Sequence, residues 1–322
     1  MNGGLNMSNV ISIDKRTEVL NNLGDYGEAD FNVYTRPVRY VGTNGDIKSV
    51  TNKKILVRDD NHESVGVVGN KYEVAQHPDA FRTVERIIAR SDLDVTDISR
   101  EINVSHDGAR AYAIYTLPSH SIDLGDGDIS TLQISTRNSF DGSWCFHIDV
   151  GAVRIICLNG QVFLNDFAMF KARHTAGLNM EHAARKLSKA IDVYQHQADV
   201  WSTWRDTPMN DSEAFRIFAK VADCKFITRT KAMAYTDVAK LLLEPEVFRN
   251  KTLIRLWEHY VTDERKNLGS TMWAVYNAMT HWATHEQATK STAQKNIAAI
   301  QVARQDRIRK AVKNTLFQSA AA

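Results

Sequence analysis

The sequence predicts an α+β fold, in which a mixed or antiparallel sheet with β-hairpins and backing helices is followed by an all-α C-terminal domain. In the first half of the chain, β-branched and aromatic residues alternate with polar ones, and Asp-Gly pairs at 107–108 and 141–142 separate such runs. At about residue 178 the apolar spacing changes from about 2 to about 3.6 residues. We therefore divide the chain into an N-terminal arm (1–27), an α+β domain (28–177) and a helical domain (178–322) that ends in a basic helix.

The composition indicates a folded protein but does not indicate which kind of ligand it binds. The chain has 322 residues, 43% of them hydrophobic, and 40 Lys and Arg against 38 Asp and Glu. Its three cysteines, Cys145, Cys157 and Cys224, show no C-x-x-C spacing, which argues against a disulfide framework or a structural zinc site. No signal peptide is predicted, because the N-terminus MNGGLNMSNV lacks a charged region followed by an apolar block, and no membrane span is predicted, because Arg154 interrupts the apolar run that ends at Leu158. We expect a soluble cytoplasmic protein.

The first elements follow from local patterns. Residues 14–23 predict a short helix, and the segments FNVYTRPVRYV and KKILVRD predict strands, with Pro37 at an edge or a bulge. The segment SVGVVGNKYEVAQ predicts a hairpin around Gly69-Asn70, and Pro78 then opens a helix. Residues 98–117 predict a hairpin that turns at Asp107-Gly108.

The next stretch predicts a second turn and a strand with one apolar face. Asp141-Gly142 fits a primed turn, in which both central residues have φ > 0. After it, Trp144, Phe146, Ile148 and Val150 alternate with Cys145, His147 and Asp149, which predicts a core face and a polar face. The preceding segment contains Asp123, Asp126 and Asp128, which lack the frame of a calcium loop and predict a solvated acidic loop.

The second half predicts helices throughout. The last one carries these cations against Asp306 alone: Lys290, Lys295, Arg304, Arg307, Arg309, Lys310 and Lys313. Such a helix is either a solvated face or a polyanion contact. His281 and His285 share a helical face at metal-ligand spacing, but the sequence offers no third ligand, so no metal and no other cofactor is predicted.

A basic segment with aromatic neighbours carries the site prediction. Arg154 lies in an apolar run, where a charge needs a carboxylate, a carbonyl cluster or a phosphate-bearing ligand, and Asp149 is an internal candidate. Cations that track phosphates and rings that stack on bases are typical of single-strand binding. We predict nucleic-acid contacts at Arg137, Trp144, Arg154, Asn159, Lys171, Arg173 and His174, and no catalytic residue.

Several segments, in this order, resemble the phage/plasmid-like protein family. They are VGVVGNKYEVAQ, NSFDGS, VRIICLNG, RHT and WAVYNAMT, and they lie between about residues 30 and 285. That family is a domain of unknown function carried by bacteriophages and plasmids. The resemblance implies a mobile-element context in a bacterial cytoplasm and no particular reaction.

Three functions remain open at this stage. The first is a non-catalytic DNA-binding accessory protein of phage or plasmid replication and recombination, which by fold-level analogy anneals single strands as a homo-oligomer. The second is a regulatory factor that binds a host protein through exposed tryptophans of the helical half, Trp201, Trp204, Trp257 or Trp282. The third is a metal-dependent nuclease that uses His147 and Asp149.

Overall fold

The computed structural model gives a mixed α+β protein, as the sequence predicts. The residues it describes are 12–125, 127–154, 159–162, 169–172, 185, 187–229, 237–286 and 297–313. The chain forms two compact units. The first comprises Met1–Ser121, Thr131–Gly151 and Asn165–Val193, and the second comprises Ile122–Ser130, Ala152–Leu164 and Tyr194–Ala322.

Strands predominate in the first half of the chain. They are β1 (Val33–Val41), β2 (Ile47–Arg58), β3 (Ser64–Gly69), β4 (Ser99–Ser105), β5 (Arg110–Asp123), β6 (Ile129–Ser139), β7 (Phe146–Arg154), β8 (Asn159–Val162) and β9 (Met169–Ala172). A three-stranded sheet has the order β1-β2-β3, and a six-stranded sheet has the order β4-β5-β6-β7-β8 with β9 paired to β7.

Helices account for most of the second half. In chain order the helices are α1 (Ile13–Asn21), α2 (His77–Arg90), α3 (Ala190–Asp206), α4 (Asp211–Val221), α5 (Lys225–Arg229), α6 (Val238–Leu242), α7 (Pro245–Phe248), α8 (Lys251–His259), α9 (Arg265–Leu268), α10 (Met272–His285) and α11 (Ile297–Lys313). A π-helix over Tyr260–Glu264 joins α8 to α9.

The three-stranded sheet confirms the predicted strands and the irregularity at Pro37. The β1–β2 register shifts between Pro37 and Val38, because proline cannot donate to the ladder. The hairpin predicted around Gly69-Asn70 is wrong. The third strand ends at Gly69 after pairing with β2, and the Tyr72 hydroxyl donates to the carbonyl of Ser139 at 2.7 Å, which draws the chain out of the ladder.

A compact apolar core stabilises this part of the first unit. Its members are Phe31, Val33, Leu56, Val65, Val68, Ala109 and Phe140. Helix α2 begins at His77, one residue before the predicted Pro78, and buries Phe81, Val84 and Ile88 at helical spacing. The Tyr26 hydroxyl donates to Glu85 at 2.9 Å, and Arg100 donates to the same carboxylate at 2.6 Å, so the buried acid of α2 is paired.

The two predicted Asp-Gly turns have different outcomes. At the β4–β5 hairpin both Asp107 and Gly108 have positive φ, 55° and 98°, and the turn is confirmed. Between β6 and β7 only Gly142 has positive φ, 74°, so the primed turn predicted there is wrong. The Asp141 carboxylate instead accepts from the backbone N–H of Ser143 at 2.9 Å and from Arg110 at 2.7 Å, which fixes a longer connection.

The prediction that β7 has an open polar face is wrong for its histidine. Phe146 and Ile148 are buried as expected, but His147 is also buried, at 1% exposure, while Trp144 lies before the strand and is only half-buried. His147 can be buried because its Nδ1 accepts hydrogen bonds from Arg137 and its Nε2 lies 3.4 Å from the Asp149 carboxylate, both within its own unit.

Aromatic residues form the core of the second unit. Trp201 and Trp204 on α3 pack against Trp273 and Tyr276 on α10, with ring centroids 5.8 Å apart for Trp201–Trp273 and 5.3 Å for Trp204–Tyr276. Helix α10 is buried nearly all round, which explains the apolar composition of WAVYNAMT. No helix in the described ranges has the length and apolar content needed to cross a membrane.

Candidate functional site

Arg137, the first predicted contact residue, is bound to His147. Its Nε and Nη2 atoms lie 3.0 and 2.5 Å from Nδ1 of His147. A guanidinium can only donate, so Nδ1 accepts and the ring proton lies on Nε2, which is 3.4 Å from Oδ1 of Asp149. Arg137, His147 and Asp149 therefore form an internal network of the first unit.

Trp144 is also engaged within the first unit. The guanidinium of Arg110 lies 5.6 Å from the centre of its ring, and Arg110 is held by Asp141 at 2.7 Å. The backbone N–H and carbonyl of Trp144 both bond to the hydroxyl of Ser139. The indole ring of Trp144 therefore has a cation over one face, and the backbone of this residue is held by hydrogen bonds.

The remaining predicted residues are only partly described. Asn159 lies in β8, and Lys171 lies in β9, where its Cα pairs with that of His147. Arg173 and His174 fall outside the described residues. Of the predicted residues, the structure therefore engages Arg137 and Trp144 within the first unit, and it gives Arg154 a different role.

Arg154 forms a buried ion pair inside the second unit. Its Nε lies 2.5 Å from Oδ1 of Asp128, and its Nη1 lies 3.7 Å from Oε2 of Glu264. The other oxygen of Asp128 accepts from the indole N–H of Trp273 at 2.9 Å. The suggestion that Asp149 pairs with Arg154 is therefore wrong. So is the prediction that Asp128 is solvated, because it is only 3% exposed.

The ion pair borders a cavity of about 530 Å³, which we call the polar cavity. All its lining residues belong to the second unit: Gly125, Asp128, Arg154, Arg205, His259, Asp263, Glu264, Asn267, Leu268 and His281. Gly125 has a φ of +116°, and a Cβ there would overlap the guanidinium of Arg205, which donates to the carbonyl of Leu124. The wall therefore depends on a glycine at this position.

The π-helix presents two acids, Asp263 and Glu264, to the polar cavity, next to His259, the last residue of α8. The ring of His259 lies between them, with Nδ1 3.3 Å from Asp263 and Nε2 3.3 Å from Glu264. A π-helix is rare and often marks a functional site, because the extra residue re-aims the side chains around it. In an α-helix His259 and Asp263 would share a face at a spacing of four residues, but Glu264, five residues after His259, would not, so helical spacing alone does not bring the three groups together.

Three histidines are stacked beside the acids. The His259 and His281 rings are 3.8 Å apart at 17°, and His285 lies 5.0 Å from His281. Burial, and then the neighbouring His259 and His285, lower the pKa of His281 to about 4, so its ring is neutral at pH 7. His259 therefore joins His281 and His285, the two histidines that the sequence placed on one helical face. Even so, no group of three or more His, Cys, Asp or Glu in the described chain is arranged to hold a metal ion.

The other basic feature predicted from the sequence, the last helix, is partly used for packing. Arg304 on α11 donates to the carbonyls of Trp282 and Glu286 at 3.0 and 2.7 Å, which satisfies the C-terminal end of α10. The Arg309 guanidinium is 3.0 Å from Asp306. Lys290 and Lys295 lie outside the described residues.

A second basic feature was not singled out from the sequence: the outer part of the β1–β2 hairpin, residues 34–54, which we call the basic ribbon. Most of its side chains are exposed on both faces, and Tyr40, Val41 and Ile47 expose 53, 71 and 71% of their surface. Its only acid is Asp46, against these cations: Arg36, Arg39, Lys48, Lys53 and Lys54.

The cations of the basic ribbon are free of ion pairs with any described residue. The Cα register places Tyr40 opposite Lys48 and Arg39 opposite Ser49, so a ring and a cation share one face while a second cation lies on the other. The Arg36 guanidinium lies 4.9 Å from the centre of the Tyr34 ring. A two-stranded ribbon with cations and tyrosines on its surface can contact phosphates and bases.

Fold and sites together define an α+β protein with a basic β-ribbon in one unit and a polar cavity in a helical unit. A family model of a domain of unknown function, DUF932, matches residues 64–305, well over half of the chain, and the chain belongs to that family. The match begins after the basic ribbon. Searches of curated proteins and of solved structures gave no match.

Proposed function

We propose that this protein binds single-stranded DNA through the basic ribbon, as a non-catalytic accessory protein of phage or plasmid replication and recombination in a bacterial cytoplasm. One observation carries the proposal: five cations that form no ion pair with a described residue, and two tyrosines, lie on a ribbon that is largely exposed. Annealing of strands by a homo-oligomer is the finer form of the proposal, and it rests on fold-level analogy.

Physical chemistry favours this partner for the basic ribbon. A strand of nucleic acid gains from each cation that replaces a condensed counterion, and from each base that stacks on an aromatic ring. The excess of cations over acids in the ribbon is large, although the formal charge of the whole chain is only +2. The basic ribbon therefore attracts polyanions locally, although the positive and negative charges of the whole chain nearly cancel.

The two other functions have less support. The host-protein alternative depends on exposed tryptophans, but Trp201, Trp204 and Trp282 are buried, and Trp257 is half-buried against Phe215. The nuclease alternative depends on an accessible His147, which is buried and bonded to Arg137. Neither alternative has a feature as exposed as the basic ribbon.

Fluorescence anisotropy with a labelled oligonucleotide of about 30 nucleotides tests the proposal. Affinity should fall as salt rises, and the double variant Arg39→Ala with Lys48→Ala should reduce the slope of log K against log salt by about 1.4, since each single-strand contact contributes about 0.7. The matched control is Lys240→Ala with Lys251→Ala, two exposed lysines of the second unit.

Two results would contradict the proposal: no binding even at low salt, or an equal loss of affinity in the control variant. Tighter binding to a duplex than to a single strand would contradict the single-strand part, since a β-ribbon also fits a major groove. The variants Lys171→Ala and Arg173→Ala test separately whether the segment after β8 contributes to the salt slope.

A further inference from the structure

We infer that the polar cavity of the second unit binds a small organic cation that carries amine N–H donors. This inference does not depend on nucleic-acid binding, because every residue that lines the polar cavity lies outside the basic ribbon. It rests on the charge of the lining, on the hydrogen-bond acceptors it presents and on its size.

The lining carries more negative than positive side chains. Apart from the histidines, the lining has three carboxylates, Asp128, Asp263 and Glu264, against two guanidinium groups, those of Arg154 and Arg205. An uncompensated charge in a partly buried site is unfavourable, and a bound cation would offset it. An anionic ligand would increase the imbalance.

Glu264 offers an acceptor that the protein satisfies only weakly. Its carboxylate is 5% exposed, yet its Oε2 lies 3.7 Å from Arg154, beyond hydrogen-bond distance, and its Oε1 lies 3.3 Å from His259. Asp128 differs, because both of its oxygens accept short hydrogen bonds, at 2.5 and 2.9 Å. An N–H donor of a ligand would therefore find its strongest acceptor in Glu264.

His281 adds an acceptor without adding positive charge. Its neutral ring presents one unprotonated nitrogen, and within the described chain neither ring nitrogen has a hydrogen-bond partner. Asp263, at 57% side-chain exposure, lies at the more solvent-accessible part of the lining and supplies a further carboxylate. Together these groups form a set of acceptors suited to an alkylammonium group.

The volume argues for an organic ligand over a bare metal ion. A cavity of about 530 Å³ is in the range of small-molecule sites and much larger than a single ion requires. A metal ion would also need three or more convergent ligands, which the described residues do not provide at the polar cavity. A short diamine offers an alkylammonium group to these acceptors and fits within the space.

Isothermal titration calorimetry of the full chain with putrescine tests the inference, at about pH 7.5 and about 150 mM salt to suppress surface binding. The neutral control is 1,4-butanediol, which has the same carbon chain without the charges. We expect saturable binding of one putrescine, none of the diol, and a loss of affinity of about tenfold or more in Asp263→Asn and in Glu264→Gln. The matched control is Glu258→Gln, an exposed acid next to His259 that does not line the cavity, and it should bind within about twofold of the unmodified protein.

Three results would overturn the inference. These are no putrescine binding by the unmodified protein, equal binding of the diol, or unchanged affinity in Asp263→Asn. Binding of Mg²⁺ or Mn²⁺ without binding of putrescine would overturn it as well. Glu264 is buried, so Glu264→Gln is first checked by circular dichroism, and if it does not fold, the diol and Asp263→Asn decide the outcome.

Discussion

The basic ribbon and the polar cavity use the same kinds of side chain in opposite ways. In the ribbon, cations such as Arg39 and Lys48 are exposed and form no ion pair within the described part of the chain, whereas Arg154 in the cavity wall is buried against Asp128. Exposed charges add little to folding stability and remain available to a partner. Buried charges must be paired, and removing one partner leaves the other uncompensated. Substitutions in the polar cavity should therefore mainly lower folding stability, whereas substitutions in the basic ribbon should mainly weaken binding.

The largest expected effect is on the buried pair. Arg154→Met should lower the free energy of unfolding by about 3–5 kcal/mol, because Asp128 and Glu264 would remain buried without their cation. Urea unfolding followed by circular dichroism measures this change. The control Arg249→Met removes an exposed arginine of the same unit and should change the free energy by less than about 0.5 kcal/mol. Equal, small changes in both variants would refute the distinction between the two regions.

A smaller effect is expected at the second partner of Asp128. Trp273→Phe removes the N–H that donates to Oδ2 of this buried acid and should lower the free energy of unfolding by about 1–3 kcal/mol. A double-mutant cycle with Asp128→Asn separates the hydrogen bond from the packing of the ring. Strict additivity of the two changes would show that this bond does not contribute.

The histidine stack predicts a pH dependence. The pKa of His281 lies at about 4 in the folded chain and at 6.5 ordinarily, so the unfolded chain binds more protons between these values. The free energy of unfolding should thus fall as pH is lowered from about 6.5 to about 4. After a discount for solvent screening, we expect His281→Asn to remove about 1–2 kcal/mol of that fall. Identical pH profiles of unmodified protein and variant, measured by urea unfolding, would contradict this role.

The smallest effect on stability is expected in the basic ribbon. Lys48→Ala should change the free energy of unfolding by less than about 0.5 kcal/mol, because its side chain is exposed and forms no ion pair with a described residue. The same substitution should weaken oligonucleotide binding at low salt. A clear loss of stability without a loss of binding would contradict this account, because Lys48 would then contribute to folding and not to a partner.

Local patterns were sufficient for the fold class and for many elements. The Asp107-Gly108 turn, the helix at Pro78 and the bulge at Pro37 each depend on residues that constrain their own backbone. The turn at Asp141 shows the limit of this reasoning. Its conformation depends on Arg110, which is distant in sequence, so the dipeptide alone does not determine it.

The site was harder to predict for the same reason. An arginine in an apolar strand indicated a buried partner, but Asp128 and Glu264 are separated from Arg154 by long stretches of sequence. His259 and His281 lie on different helices, α8 and α10, so no local pattern in the sequence connects their rings. In the basic ribbon the sequence predicted β1 over 31–41 but β2 only from Lys53, whereas β2 begins at Ile47, so the exposed outer part of the hairpin was missed.

Photo-crosslinking most directly tests the central claim that the basic ribbon contacts single-stranded DNA. The full chain is irradiated with an oligonucleotide that contains 5-iodouracil, and the crosslinked peptides are located by mass spectrometry. We predict crosslinks within residues 34–54, at Tyr34 or Tyr40, and their loss when both tyrosines are replaced by alanine. Crosslinks confined to other parts of the chain, with none in the basic ribbon, would contradict the claim.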